Sequence, residues 1–266
     1  MNTFLSRNRL IFLAYIGMLL LVLITAFFSP GFLSASNLRS TFILASFVGI
    51  VALGQTFVII GGGIDLSIPW VLNSAAVLMT LLCAGQDLPL IWVVPLLLAG
   101  GGLIGLLNGA GVALLGVPPI IMTLAANVIL QGLILVFTGG TPTPAAPDMI
   151  KFLSVGRIRG IPVIALIWTA LTVLAWLLLS KSAFGRHLYA VGTNVTVARY
   201  SGVPATRTTI LTYVISGMTA ALGGILLTGY SGVAYLGMGD SYLFTTVAAV
   251  AIGGAPILGG SGHYIG

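Results

Sequence analysis

The stretch Gly61-Gly62-Gly63-Ile64-Asp65-Leu66-Ser67-Ile68-Pro69-Trp70 decides how this chain folds, because apolar runs flank it on both sides. Residues 41–60 lead into it and residues 70–84 lead out. Glycines permit a tight reversal or an unwound backbone where a helix ends. Asp65 or Ser67 can accept hydrogen bonds from the free N–H groups that open the next helix, and Pro69 is tolerated in its first turn. Two readings follow. The stretch is a capped turn between helices, or it is a broken helix whose freed polar groups line a solute path.

Outward from this break the composition fixes the class. Charged residues make up 5% of the chain and hydrophobic residues 58%, and mean hydropathy is +1.17. A soluble domain is about a quarter charged, so this surface is not built for water. Glu is absent, and the carboxylates are Asp65, Asp87, Asp148 and Asp240. The formal charge of +6 sits almost wholly in connections between apolar runs. That is the pattern of a bilayer-embedded protein with basic loops, not of a nucleic-acid binder with one basic face. Cys83 is the lone cysteine and lies in an apolar run, which excludes a disulfide framework and a Cys metal site. His187 and His263 are far apart with no ligand spacing, so no metal site is expected.

A helix needs roughly 20 mainly apolar residues to cross hydrocarbon. Such runs recur at 10–28, 41–60, 70–84, 90–107, 119–137, 161–179 and 210–230, and an eighth begins at 243–258. The first is too long for the apolar region of a secretory signal, about 7–15 residues, and reads as a retained helix. Strands in lipid would leave unpaired edges, so helices are expected throughout. The expected fold is all-α: one transmembrane domain over 1–266, a polytopic bundle of about seven to eight segments with broken helices. A second glycine-rich break runs from Ile252-Gly253-Gly254 to Gly262. Its Ile-Gly-Gly matches Ile60-Gly61-Gly62, which points to a weak internal repeat.

Basic residues orient the bundle. With a cytoplasmic N-terminus, Arg7, Arg9, Lys181, Arg186, Arg199 and Arg207 lie inside, against Arg39, Lys151, Arg157 and Arg159 outside, and the positive-inside rule favours this arrangement. Residues 139–160 are then extracytoplasmic, and 181–209 form the longest cytoplasmic segment. No G-x-x-x-x-G-K-[ST] is present to cradle nucleotide phosphates. No nucleophile and base form a local constellation. The chain reads as a conduit and not as an enzyme.

Five stretches in order resemble the ribose/xylose-type (monosaccharide) ABC transporter permease family. They are Gly62-Gly63-Ile64-Asp65-Leu66-Ser67; Asn108-Gly109 followed by Val117-Pro118-Pro119-Ile120-Ile121-Met122-Thr123-Leu124; Phe184 to Asn194 followed by Ala198-Arg199-Tyr200-Ser201-Gly202-Val203; Ser216 to Gly224; and Ala248 to Gly254. The first departs from the family at Ile68-Pro69-Trp70, where Val-Gly usually follows the serine. Acidic residues often precede the last apolar run in the family, where Leu243 and Thr245 stand here.

The resemblance implies a permease of the bacterial inner membrane, crossing the lipid bilayer many times. Its partners would be a second permease subunit in a homo- or heterodimer, a cytoplasmic ABC ATPase and a periplasmic sugar-binding protein. No nucleic acid is involved. The chain would carry no cofactor of its own, and ATP would be used by the partner ATPase. The resemblance also implies that residues 181–209 hold a coupling helix for the ATPase, with Gly185, Arg186, Asn194, Ala198, Arg199, Ser201 and Gly202 as its candidate residues. Family members continue past the second glycine break, so C-terminal helices are expected to be missing here.

The candidate substrate pathway comprises Gly62, Gly63, Asp65, Ser67, Trp70, Asn73, Asn108, Gly253 and Gly254. Gln55, Asn127 and Gln131 also sit in or beside apolar runs. Their side chains would hydrogen-bond a passing sugar or, alternatively, a neighbouring helix, and Trp70 would offer a ring face to the sugar. Gly100, Gly101, Gly102 and Gly105 read as close-packing contacts. Two other functions remain open on the residues: an ABC permease for another small polar solute such as an amino acid, and an ion-coupled secondary transporter, for which Asp65 is the one strong intramembrane carboxylate.

Overall fold

The computed structural model describes residues 9–29, 31–141 and 144–265. Arg7 and Pro142 lie outside these. Among the described residues, five helices are long and apolar enough to cross a membrane, and the chain is a multi-pass membrane protein. In chain order the helices are α1 (Arg9–Phe28), α2 (Ala35–Ile60), α3 (Ile68–Cys83), α4 (Leu90–Leu115), α5 (Pro119–Thr138), α6 (Asp148–Val155), α7 (Val163–Lys181), α8 (Ala183–Thr193), α9 (Val195–Tyr200), α10 (Ala205–Ser231) and α11 (Tyr242–Ile252).

α2 and α10 form the centre and bury most of their length. α5 is peripheral and buries only Thr123 and Ile134. The main core joins Phe47, Ile50 and Val51 of α2 to Leu72, Ala76 and Met79 of α3 and to Ala220, Ala221 and Ile225 of α10. Lipid tails are as apolar as these side chains, so close fit rather than water exclusion holds the helices together. The α4–α10 crossing shows how. Any Cβ on Gly101 would overlap the Gly217 carbonyl, and one on Gly105 would overlap the Tyr213 carbonyl. Only glycine at these positions lets the two backbones meet. Gly100 has no neighbour within reach and takes no part in that contact.

Several boundaries differ from the sequence expectation. α2 begins at Ala35 rather than near 41, because the Ser34 side chain caps it by accepting from the Asn37 N–H at 3.3 Å. α4 continues past 107 to Leu115 and so carries Asn108 inside the helix. The expected seventh run starts earlier, at Ala205. The eighth ends at Ile252, where Gly253 and Gly254 stop the helix, so 256–258 is turn and not helix.

Both expected loops also hold regular elements among the described residues. Segment 139–160 contains α6, whose Met149 N–H is accepted by Asp87 at 2.8 Å. It is followed by an antiparallel pair, β1 (Arg157–Ile158) and β2 (Ile161–Pro162). Arg159 and Gly160 form the two-residue turn between them, both at positive φ, as a type I′ hairpin requires. Segment 181–209 holds two helices, α8 and α9. Lys151, Arg157 and Arg159 therefore gather at one end of the bundle, and Lys181, Arg186 and Arg199 at the other.

Candidate functional site

The break between α2 and α3 is a buried polar cluster. Asp65 is 1% exposed and Ser67 is 1% exposed. The Asp65 carboxylate accepts the Ser67 N–H at 2.9 Å, the Ser67 hydroxyl at 2.6 Å and the Ser216 hydroxyl of α10 at 2.6 Å. No cation pairs with it among the described residues. A buried carboxylate is costly unless hydrogen bonds replace its water, and three donors do so here. Asn108 of α4 donates to the Ser67 hydroxyl at 2.9 Å. Of the backbone N–H groups among the described residues, Asp65 accepts only that of Ser67, the residue ahead of α3, and Ser67 makes no side-chain cap bond. Neither therefore caps the opening N–H groups of α3 as the capped-turn reading expects. The carboxylate ties the break to α10 directly and, through the Ser67 hydroxyl, to α4.

Two further N–H groups at the break go to α5. Thr123 accepts the Leu66 N–H at 3.0 Å, and Asn127 accepts the Trp70 N–H at 3.3 Å. These two side chains stand four residues apart and so share one face of the helix. Asn127 therefore serves the backbone. Gln131, a turn further on, is exposed. Asn73 donates to the Tyr235 carbonyl at 3.0 Å. Trp70 packs in the hydrophobic core at 5% exposure, so its ring face is covered. Gln55 is fully buried, and among the described residues both its side-chain polar atoms are unpartnered, as are Asn73 Oδ1, Asn108 Oδ1 and Tyr213 Oη.

The two glycine breaks share one cap geometry. Gly61, Gly62 and Gly63 donate to Phe57, Ile59 and Val58, and Gly253, Gly254 and Ala255 donate to Ala249, Ala251 and Val250. The spacings are the same three in each. Gly62 has φ +83° and Gly254 has φ +89°, the left-handed conformation that favours glycine at a helix stop. The short sequence match thus has a structural counterpart. Gly253 lines a cavity of about 400 Å³ between α2, α7 and α11, which also borders Thr56 and Trp168.

Neither break stands alone. Gly260 donates to the Ile60 carbonyl at 2.9 Å, and Gly192, near the end of α8, abuts the same carbonyl. Three backbones meet there, and a side chain on Gly192 would overlap Ile60 O. Tyr189 of α8 donates its hydroxyl to the Gly262 carbonyl at 2.7 Å. Burial pushes that phenol above its ordinary range, so it stays a donor. The α8 end of the bundle is thereby tied to the ends of both breaks.

Within segment 181–209 the expected residues divide by role. Asn194 caps α9, accepting the Thr196 and Val197 N–H groups at 3.0 Å each. Gly202 ends it at φ +80°, while Pro204 leads directly into α10. Gly185 packs against the Leu179 carbonyl, and Ala198 is buried. Arg186, Arg199, Ser201 and Gly202 are exposed. Residues the sequence did not single out are also exposed on α9, among them Val197 at 59% and Tyr200 at 90%. Their exposure depends on how a six-residue helix is seated, and no periodicity is legible in so short a run. Thr123, Ser216 and Gly192 were likewise invisible as a set, since their partners are distant in sequence.

The comparisons with known proteins bear on this arrangement. The chain is 34% identical over 255 residues to the ribose import permease protein RbsC of Bacillus subtilis, across 95% of this chain and 79% of that one. It is 31% identical over 257 residues to the ribose import permease protein RbsC of Haemophilus influenzae, at the same two coverages. It is 35% identical over 269 residues to the autoinducer 2 import system permease protein LsrC of Escherichia coli, across 100% of this chain and 77% of that one. No solved structure matches the chain. The family model described as "Branched-chain amino acid transport system / permease component" matches residues 37–266, and the chain belongs to this family of transport permeases.

Proposed function

We propose that this chain is the membrane-spanning permease subunit of an ATP-driven importer, and that it moves a monosaccharide delivered by an extracytoplasmic binding protein. The observation that carries the reading is the similarity to ribose import permeases over nearly the whole chain. The description of the family model names branched-chain amino acids, but these individual relatives favour a sugar. In this reading the N-terminus is cytoplasmic, the membrane is the bacterial inner membrane, and a second permease subunit completes the path. A cytoplasmic ATPase supplies the energy. α9 is its docking element, supported by exposed Val197, Arg199 and Tyr200 on one short helix. The crossing at Ile60, Gly192 and Gly260 carries motion from α8 to both glycine breaks. Gly62, Gly63, Asp65, Ser67, Asn108, Gly253 and Gly254 border the path or set its shape. Asp65 is held by three hydrogen bonds, which suits a fixed structural anchor better than an exchanging ion-coupling group.

The test is uptake in proteoliposomes. Vesicles with this chain, its ATPase and a ribose-loaded binding protein should accumulate D-ribose only with ATP inside. Vesicles with this chain alone, driven by a proton or sodium gradient, should accumulate none. Gradient-driven uptake would overturn the proposal.

A further inference from the structure

A cavity of about 210 Å³ lies between the first glycine break and the two helices of segment 181–209. Gly63, Pro119, Arg199, Thr209, Thr212 and Tyr213 are among its walls. At about 30 Å³ per water, it has room for roughly seven waters or one ring-sized polyol.

Its polar groups are unusually free. Tyr213 is 1% exposed, and its hydroxyl has no hydrogen-bond partner among the described residues. A buried unpartnered hydroxyl is uncommon, and each one calls for an explanation. Tyr213 Oη stands at the Gly63 wall, where a Cβ would come within 2.5 Å of it. Arg199 makes no ion pair among the described residues, and the Thr209 hydroxyl makes no hydrogen bond among them. The cavity walls therefore carry Thr209 and the Arg199 guanidinium and no carboxylate, and the Tyr213 hydroxyl lies buried beside the Gly63 wall.

We infer that this cavity binds a small polyhydroxylated solute from the α8–α9 side, through Tyr213 Oη, Thr209 Oγ1 and Arg199, and that its occupation slows the importer. The inference rests on the proposed function, which makes that side cytosolic and the imported solute a polyol. Its walls join the break to the helices that meet the ATPase, since Gly61 to Gly63 face Val191, Val195 and Arg199 across it. A bound solute holds these apart. A ligand that favours one spacing opposes any step that needs the other. The imported solute then acts as its own brake.

The experiment uses the assembled importer in proteoliposomes, with D-ribose as the probe on the ATPase side and glycine betaine as the osmotic control. Initial uptake of labelled D-ribose from binding protein is compared in wild type and Tyr213→Phe, which keeps the ring and removes only the orphan hydroxyl. The expected result is slower uptake as internal D-ribose rises. Tyr213→Phe should shift the inhibiting concentration up about tenfold, the scale of one lost buried hydrogen bond. Its uptake into ribose-free vesicles should stay within about twofold of wild type. ATP-driven uptake that internal D-ribose does not slow, or slows equally in both proteins, overturns the inference and leaves the proposed function standing. Absence of ATP-driven uptake even into ribose-free vesicles overturns the proposed function, and this inference with it.

Discussion

The Gly260 N–H donates to the Ile60 carbonyl at 2.9 Å, joining the tail of the second glycine break to the end of α2. The last carbonyls of a helix lack partners within it, so this bond satisfies a group that the first break leaves open. Gly192 abuts the same carbonyl. One oxygen is therefore the meeting point of α2, α8 and the 253–265 segment.

That meeting point makes Gly192→Ala a test of transmission. A methyl group there would overlap Ile60 O and push α8 away from both breaks. In the assembled importer, Gly192→Ala should still bind the ATPase in a pull-down, because α9 is untouched. Stimulation of ATP hydrolysis by loaded binding protein should fall at least about tenfold, the scale of a coupling free energy between sites. Full stimulation in this variant would show that the crossing carries no motion.

Asp65 separates charge from hydrogen bonding. Asp65→Asn keeps an acceptor for Ser67 and offers Ser216 a donor in place of an acceptor, so it should cost less than about 1 kcal/mol. Asp65→Leu strands the Ser67 N–H and two hydroxyls in a buried site. It should cost about 3–9 kcal/mol at about 1–3 kcal/mol per stranded group. Thermal unfolding of the detergent-purified chain measures both, and equal losses would mean that the charge itself holds the site.

The α4–α10 crossing gives a paired prediction from neighbouring glycines. Gly105→Ala places a methyl on the Tyr213 carbonyl and should prevent stable folding, or lower the unfolding midpoint by several degrees. Gly100→Ala meets nothing and should be neutral, or stabilising by up to about 1 kcal/mol through helix propensity. Matching behaviour of the two variants would rule out backbone contact as the reason for glycine here.

Thr123→Val with Asn127→Leu removes the two acceptors that α5 gives the break. The Leu66 and Trp70 amides should then exchange with solvent deuterium about ten to a hundred times faster, as expected for local opening eased by about 1.4–2.8 kcal/mol. Amides in the middle of α10 should be unchanged. Unaltered exchange at Leu66 and Trp70 would mean that α5 is only a neighbour of the break.

Sequence reading recovered the helices because their signal is local. Runs such as 119–137 are long and apolar, and lipid leaves the backbone no alternative to intrahelical bonding. Caps were legible for the same reason. Asn194 and Gly202 act within three residues of their own positions, so their chemistry predicts the ends of α9 directly. α6 and the 157–162 hairpin were missed because proline and charge mask short elements, and the Asp87 that caps α6 lies 62 residues away.

The amino-acid sequence by itself determined that this protein is an all-α membrane bundle broken at two glycine clusters, since hydropathy, length and glycine conformation are properties of contiguous residues. Tertiary structure alone decided which groups complete those breaks. Asp65 meets Ser216 across 151 residues, Leu66 meets Thr123 across 57, and Gly260 closes on Ile60. Buried polar groups must find partners wherever packing brings them, and in a chain this uniformly apolar the pattern does not say which helix faces which. Close approach of glycine-bearing backbones settles that, through contacts that no single segment encodes.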